Sequence, residues 1–137
     1  MPTTSDAQVV QQLYRLFSEG RLGETLAIMA PEVVLLEPGD PDVLPWAGRF
    51  EGHDGVHRFY EALAAGLSEI AIDPDSLSIR SLGDGDVLAT GTERAVSRTT
   101  SKRYETQSAW VWTVRDGRVT HLRAFHDTAA MIEAMTV

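Results

Sequence analysis

The 137-residue chain contains no cysteine, which excludes a disulfide framework, thiol catalysis and cysteine-ligated zinc or iron–sulfur centres. Basic residues are few. Twelve Lys and Arg against twenty Asp and Glu give a formal net charge of −8, which argues against nucleic acid or anionic lipid as the main partner. No apolar run approaches the roughly 20 residues that cross a bilayer. The first residues, Met1–Asp6, lack the basic and apolar regions of a signal peptide. We therefore expect a soluble, cytoplasmic protein that binds neither nucleic acid nor membrane.

Signatures of bound cofactors are also missing. The chain has no glycine-rich phosphate loop, dinucleotide fingerprint or nucleophile elbow, so we expect no cofactor. His53 and His57, with Glu61 one turn further, could bind a metal. The same spacing is more simply the exposed face of a helix, and we expect no metal.

The chain does contain enough apolar residues for one core, since 43% of them are hydrophobic, and we expect a single domain over residues 1–137. Ser5-x-x-Gln8 predicts a capping box that opens a first helix, which Gly20 can end. Apolar spacing and turn signals predict the other elements. These are a second helix over Leu22–Met29 stopped by Pro31, a strand over 33–36, a loop over 40–48, a third helix over about 54–66, strands over 76–82, 87–97, 104–114 and 118–125, and a last helix over 128–135 capped by Asp127.

Helices that precede a run of antiparallel strands predict an α+β fold in which the helices cover one face of the sheet. The last two strands carry apolar side chains on both faces. We therefore expect a second subunit to cover the outer face, in a homodimer.

Three stretches resemble known families in order and spacing. They are Pro45-Trp46-Ala47-Gly48 followed by Glu51-Gly52-His53-Asp54-Gly55-Val56, Val111-Trp112-Thr113-Val114-Arg115-Asp116-Gly117-Arg118-Val119, and Arg123-Ala124-Phe125-His126-Asp127-Thr128-Ala129-Ala130. With the order of elements, they resemble the fold of nuclear transport factor 2, ketosteroid isomerase, limonene-epoxide hydrolase and the SnoaL-like polyketide cyclases. The resemblance covers essentially the whole chain. It implies an NTF2-like cone, with helices packed on a curved mixed or antiparallel sheet that encloses a pocket.

The resemblance also implies which side chains face that pocket. An apolar cavity with a few convergent polar groups suits a small apolar or aromatic ligand. The implied substrate-binding residues are Leu13, Phe17, Leu35, Trp46, Ser108, Trp110, Leu122 and Ala124.

Glu37 is the sharpest candidate for catalysis. It stands before Pro38 at the end of a predicted strand, a position similar to that of the general-base aspartate of ketosteroid isomerases. Apolar walls would raise the pKa of a carboxyl group there, and it could then shuttle a carbon-bound proton. The alternative is a solvated glutamate at a strand end.

Other parts of a ketosteroid isomerase are matched less well. By resemblance, the oxyanion-hole tyrosine falls on Leu13, with Tyr14 about 100° round the helix. The second donor, a protonated aspartate, falls approximately on Trp110, whose indole N–H is a weaker stabiliser of an enolate. Tyr60 matches a supporting tyrosine and is the expected phenolic donor. Steroid isomerisation is therefore not expected.

Limonene-epoxide hydrolases use an Asp-Arg-Asp network. Glu93 falls on one of its carboxylates, but Gly91 and Ala124 occupy the other two positions, so epoxide hydrolysis is not expected. Glu93 is either a cavity acid or a strand residue paired with Arg94 or Arg103.

His126 is the single histidine on the predicted inner face. An ordinary pKa near 6.5 suits acid–base chemistry at neutral pH, and SnoaL-like cyclases often place His and Asp in this cavity. A satisfied core or rim histidine is the alternative.

Two functions remain open. The first is a small-molecule enzyme of the SnoaL or ketosteroid isomerase type that isomerises or cyclises an apolar carbonyl compound by cofactor-free proton transfer. Glu37 would be its base, His126 or Tyr60 its acid or oxyanion donor, and Glu93 a relay. The second is a non-catalytic binding module on the same fold.

Overall fold

Helices cover one side of a curled, mixed half-barrel sheet in the computed structural model, which describes residues 5–137. The predicted α+β fold is confirmed. The first four residues, on which the expectation of no signal peptide partly rests, lie outside the described range. The elements are α1 (Asp6–Ser18), α2 (Leu22–Ala27), β1 (Met29–Glu37), β2 (Gly48–Glu51), α3 (Gly52–Gly66), β3 (Leu67–Ala71), β4 (Ser78–Gly83), β5 (Asp86–Ser97), β6 (Arg103–Arg115), β7 (Arg118–Phe125) and α4 (Thr128–Met135).

The sheet joins early and late parts of the sequence. Its strand order is β2-β1-β7-β6-β5-β3, and β4 pairs with another part of β5. All neighbours are antiparallel except β1 and β7, which run parallel with Leu35 opposite Leu122. This parallel pair sets the carboxyl ends of β1 and β7 side by side, which brings Glu37 close to His126.

Helix α1 begins as its sequence predicts. The Ser5 hydroxyl accepts a hydrogen bond from the Gln8 N–H, and the Gln8 side chain accepts one from the Ser5 N–H, which completes the capping box. Gly20, with φ +71°, follows the helix end in the left-handed region that glycine tolerates best.

The second helix is shorter than predicted. It ends at Ala27, and Met29 already belongs to β1, so the prediction that Pro31 stops this helix is wrong. Pro31 instead lies inside the strand. The pairing of β1 with β7 changes register between Met29 and Val34, and such an irregularity accommodates a residue that cannot donate a backbone hydrogen bond.

Two short strands are not predicted by the sequence pattern. Four-residue β2 follows the predicted loop and forms the edge of the sheet beside β1, and five-residue β3 follows α3 directly. Both are near the lower limit of length at which an alternating pattern can be recognised. Helix α3 also begins two residues earlier than predicted, at Gly52.

The alternation in β6 separates the two faces of the sheet. Its inner side chains run from Tyr104 to Val114 and are buried, whereas Glu105 and Gln107 on the outer face are exposed. The inner face packs against α1 and α3. No helix within residues 5–137 is long and apolar enough to span a bilayer.

A glycine fixes the contact between α3 and β2. A Cβ atom on Gly55 would lie 2.9 Å from the backbone carbon of Phe50, closer than real Cβ contacts. We expect Gly55→Ala to lower the free energy of unfolding by about 1–3 kcal/mol, because backbone must move. Urea denaturation measures this free energy.

Gly23→Ala is the matched control, since a Cβ at this α2 position meets nothing within 4 Å. This substitution should leave the free energy of unfolding unchanged or raise it by up to about 1 kcal/mol. Equal effects of both substitutions would contradict the packing argument.

Candidate active site

A small cavity lies between the inner face of the sheet and helices α1 and α3. Its volume is about 60 Å³, room for roughly four to six water-sized groups. Phe17, Tyr60, Ile70 and Ile72 are half-buried members of its lining and mark the side on which it approaches solvent. The lining consists of Leu13, Tyr14, Phe17, Met29, Leu35, Glu37, Trp46, Phe59, Tyr60, Leu63, Leu67, Ile70, Ile72, Glu93, Tyr104, Trp110, Trp112, Leu122, His126 and Met131.

A line of polar contacts crosses one end of the cavity. Glu37 ends β1 and His126 follows β7, and Oε2 of Glu37 lies 3.5 Å from Nε2 of His126. Both side chains are only 4% exposed. On the other side of the imidazole, Nδ1 lies 2.6 Å from Oγ of Ser108 on β6. A carboxyl group, an imidazole and a hydroxyl are thereby held in sequence inside the protein.

Burial controls the protonation of Glu37. Removal from water raises the pKa of its carboxyl group, and the nearby charge of Glu93 raises it further, while contact with His126 opposes both effects. A carboxylate with a raised pKa is a stronger base than one in water. This environment therefore suits proton abstraction.

The pKa of His126 is also raised. Burial is the largest single influence and favours the neutral imidazole, but contact with Glu37 and the charges of Glu93 and Glu37 together outweigh it. Trp110 packs edge-on against the imidazole, with ring centroids 5.6 Å apart. His126 thus lies close to two acids, and its pKa is raised from the ordinary value.

Glu93 on β5 is a second acid at the cavity, half-buried and paired with a tyrosine. Its Oε2 accepts a hydrogen bond of 2.9 Å from the hydroxyl of Tyr104 on β6. Burial raises the pKa of Glu93, although His126 and Tyr104 lower it. Burial and the two carboxylates Glu93 and Glu37 raise the pKa of Tyr104 well above its usual range, so this phenol keeps its proton.

Tyr14 places a phenol against the same acids. Its hydroxyl oxygen accepts a hydrogen bond of 3.0 Å from the indole N–H of Trp112. Burial raises the pKa of Tyr14 well above its usual range, and the charges of Glu37 and Glu93 contribute to the rise. The Tyr14 proton has no acceptor among the hydrogen bonds formed within residues 5–137, so the hydroxyl can donate it to a ligand.

The hydroxyl of Tyr60 is engaged elsewhere. It lies 2.9 Å from Oγ1 of Thr25, and Thr25 donates its own proton to the carbonyl of Leu22. The Tyr60 proton therefore goes to Thr25, which ties α3 to α2. Its ring still lines the cavity.

The sequence profile of the SnoaL-like domain matches residues 10–122, most of the chain. The chain belongs to this family. No curated protein sequence matches it significantly.

Solved structures share the fold of this SnoaL-like domain. An NTF2-like protein from Burkholderia xenovorans LB400 is 26% identical over 99% of both chains, with a TM-score of 0.84. TerC, co-crystallised with polyporic acid, is 22% identical over 96% of this chain and 98% of its own, with a TM-score of 0.80. A Pseudomonas putida KT2440 protein with a provisional description as a polyketide cyclase is 13% identical over 98% and 100% of the two chains, with a TM-score of 0.80. These likenesses show the NTF2-like fold, as the resemblance implied.

Most of the predicted site residues of the SnoaL-like domain meet in the cavity. Two do not: Ser108 and Ala124 are buried on the inner face but do not line it. Ser108 contacts His126 instead of the cavity space. The predicted residues that line the cavity are Glu37, His126, Glu93, Tyr60, Leu13, Phe17, Leu35, Trp46, Trp110 and Leu122.

Sequence reasoning misses Tyr104, Trp112 and Tyr14, which also line the cavity. Tyr104 and Trp112 share the inner face of β6 with Trp110, so the alternation of that strand could have identified them. The resemblance places Leu13 rather than Tyr14 in the pocket, whereas both residues line it because the cavity spans more than one row of α1.

The histidines near the start of α3 do not converge. Nε2 of His53 lies 3.0 Å from the carbonyl oxygen of Met29, and His57 pairs with Glu61 at 2.9 Å on the exposed face. No group of three or more metal-ligating side chains occurs in the described part of the chain. Asp127 caps α4 as predicted, by accepting a hydrogen bond from the Ala130 N–H.

The buried acids predict a pH-dependent stability. Because the pKa of Glu93 is raised on folding, the folded state binds more protons, and stability falls as pH rises from about 4.5 through the folded-state pKa. Glu93→Gln removes this loss. The free energy of unfolding of the variant, relative to that of wild type, should therefore be higher at pH 8 than at pH 4. We expect the difference to be about 1.4 kcal/mol for each pH unit by which folding raises the pKa of Glu93. Urea denaturation at both pH values measures it.

Glu105→Gln, which removes an exposed carboxylate from the neighbouring strand, is the control. Parallel pH profiles of wild type and Glu93→Gln would show that Glu93 is not a buried acid.

Proposed function

We propose that this SnoaL-like domain is an enzyme that moves a proton within an apolar carbonyl compound, by isomerisation or cyclisation, without a cofactor. The observation that carries the proposal is the buried Glu37, which contacts His126 at the end of a largely apolar cavity. A carboxylate in such surroundings is a stronger base than in water and needs no metal to act. The Pseudomonas putida neighbour that is described as a polyketide cyclase shares this fold and is consistent with this chemistry.

Glu37 would act as the base. Its carboxylate takes a proton from the carbon beside the carbonyl group, and the electron pair of the broken C–H bond moves to the carbonyl oxygen. The Tyr14 hydroxyl would donate a hydrogen bond to that oxygen, supported by the Trp112 N–H that its own oxygen accepts. In isomerisation, Glu37 then returns the proton to another carbon. In cyclisation, the enolate carbon attacks a carbonyl carbon of the same molecule, the π electrons of that C=O bond move to its oxygen, and Glu37 gives its proton to the alkoxide that forms.

The neighbouring groups would hold this base ready. When protonated, His126 would place a positive charge beside the Glu37 carboxylate, and Glu93, fixed by Tyr104, would orient the ligand or relay protons. Phe17, Trp46 and Trp110 would contact apolar rings. Tyr60 contributes its ring to the wall, because its hydroxyl proton is engaged by Thr25.

The cavity volume restricts the ligand. About 60 Å³ is far below the roughly 300–1,000 Å³ of drug-sized ligand pockets. A larger polyketide-like substrate therefore requires the rim residues Phe17, Tyr60, Ile70 and Ile72 to move outward. This constraint also supports a second candidate function, a binding module that retains a small hydrophobic ligand without converting it.

Carbon-bound hydrogen exchange in D₂O distinguishes the two functions. Flat ketones, steroids and polyketide-like aromatics are incubated with the protein and analysed by mass spectrometry. We expect Glu37→Gln to lower the exchange rate by about 10²- to 10⁴-fold, the usual contribution of a general base, with fold and ligand affinity nearly unchanged.

Glu32→Gln is the control, since Glu32 is an exposed carboxylate on the same strand. Equal exchange by wild type and Glu37→Gln would exclude Glu37 as the base. Ligands that bind without exchange would support the binding module.

We also propose a homodimer formed through the outer face of the sheet. Phe125 is 52% exposed there, opposite Ala109 of β6, and Val111 is half-buried beside them. An exposed apolar face of this kind suits association. The cytoplasmic location stays a prediction.

Sedimentation velocity at micromolar concentration tests the dimer. We expect a dimer mass for wild type and a monomer mass for Phe125→Asp, which places a charge in the interface. Leu82→Asp, at an exposed leucine of β4, should remain a dimer. A monomeric wild type would contradict the proposal.

A further inference from the structure

The resemblance implies that Ser108 contacts substrate, but in the structure Ser108 contacts His126. It lies on the inner face of β6, is 5% exposed and is absent from the cavity lining. Its hydroxyl meets Nδ1 of His126 at 2.6 Å. Ser108 and His126 both border a separate, more open groove, so an effect of Ser108 on chemistry inside the cavity must pass through His126.

The two contacts of the imidazole differ in strength. Hydrogen bonds between oxygen and nitrogen are formed at about 2.7–3.2 Å and weaken beyond that range. The Ser108 contact, at 2.6 Å, is a tight hydrogen bond, whereas Nε2 of His126 lies 3.5 Å from Glu37. The position of the ring is therefore fixed from the Nδ1 side, and the contact with Glu37 is mainly electrostatic.

The aromatic neighbour completes the restraint. Trp110 packs against the imidazole at an angle of 76° between ring planes, which restricts the tilt of the ring. The Ser108 hydroxyl restricts its rotation, and Nε2, on the opposite side, faces the cavity acids. A hydroxyl can also donate to neutral Nδ1 or accept from protonated Nδ1–H, so the contact survives a change in the charge of His126.

We infer that Ser108 is a positioning residue: its hydrogen bond to Nδ1 holds the His126 imidazole with Nε2 toward Glu37, and thereby couples the protonation of these two groups. The titratable groups that face the imidazole are Glu37 from β1 and Glu93 from β5. Tyr104 from β6 acts on Glu93, and Tyr14 from α1 lies within range of both carboxylates.

The inference predicts that loss of the Ser108 hydroxyl changes the pKa values of His126 and Glu37 in opposite directions. Without the Ser108 hydroxyl, the imidazolium loses a hydrogen-bond acceptor and the ring is free to turn from Glu37. We expect Ser108→Ala to lower the pKa of His126 by about one pH unit and to raise that of Glu37, because a charged hydrogen bond and its ion pair are both weakened. NMR titration of histidine ring signals and of ¹³C-labelled glutamate carboxyl groups, without ligand, measures both.

Two variants separate positioning from simple packing. Ser108→Thr keeps the hydroxyl and should restore both titrations. Ser97→Ala removes a buried serine hydroxyl from β5 that bonds to the Thr100 N–H and not to His126; it should cost stability without moving either pKa. Urea denaturation of each variant reports the structural cost.

The result is decisive with or without an identified substrate. Unchanged titrations in Ser108→Ala, or a change at His126 alone, would overturn the inference, because the coupling to Glu37 would then not depend on Ser108. The consequence for catalysis rests on the proposed function: with a ketone that exchanges, we expect Ser108→Ala to lower kcat about tenfold and to change KM little. Coupled titrations together with no exchange in wild type would leave the inference standing and reject the proposed function.

Discussion

The removal of Glu37 and His126 from water is the constraint on which the site depends. Burial alone would drive both groups to their neutral forms, and the contact between them at 3.5 Å opposes this effect at Glu37 and helps to outweigh it at His126. A buried pair of this kind costs stability unless its remaining polar atoms are satisfied. Ser108 satisfies one of them, and no fully buried side-chain polar atom in the described range lacks a partner. The contact with Glu37 therefore helps to raise the pKa of His126 although burial lowers it.

The same principle organises the rest of the cavity. Each polar group in it is tied to a partner on a different element: Tyr14 of α1 to Trp112 of β6, and Glu93 of β5 to Tyr104 of β6. The apolar walls strengthen these contacts because the local dielectric constant is low. Strand β6 supplies a side chain to each of these two contacts, so the alternation of this one strand determines much of the chemistry.

Much of the fold follows from the sequence, because capping, turn and alternation signals are local. The α1 capping box and strands β4 to β7 are predicted close to their observed bounds, whereas only residues 33–36 of the longer β1 are predicted as a strand. Pro31 is misread, because its place in an irregular β1 depends on pairing with β7, which lies far away in the chain. The site follows a similar rule. Glu37 stands out beside a proline, whereas the free hydroxyl of Tyr14 and the partner of Tyr60 can be found only from contacts between separate elements.

The parallel pairing of β1 with β7 also has a consequence for biosynthesis. Strands that are distant in sequence must close a long loop before they pair, and such non-local contacts slow folding. Glu37 leaves the ribosome with β1, whereas its partner His126 follows β7, after every other strand of the sheet has been made. Until His126 is synthesised, the Glu37 carboxyl group has no imidazole partner. A nascent chain that already contains α1, α2 and α3 therefore still lacks the acid–base pair. That centre is assembled only with the last strand.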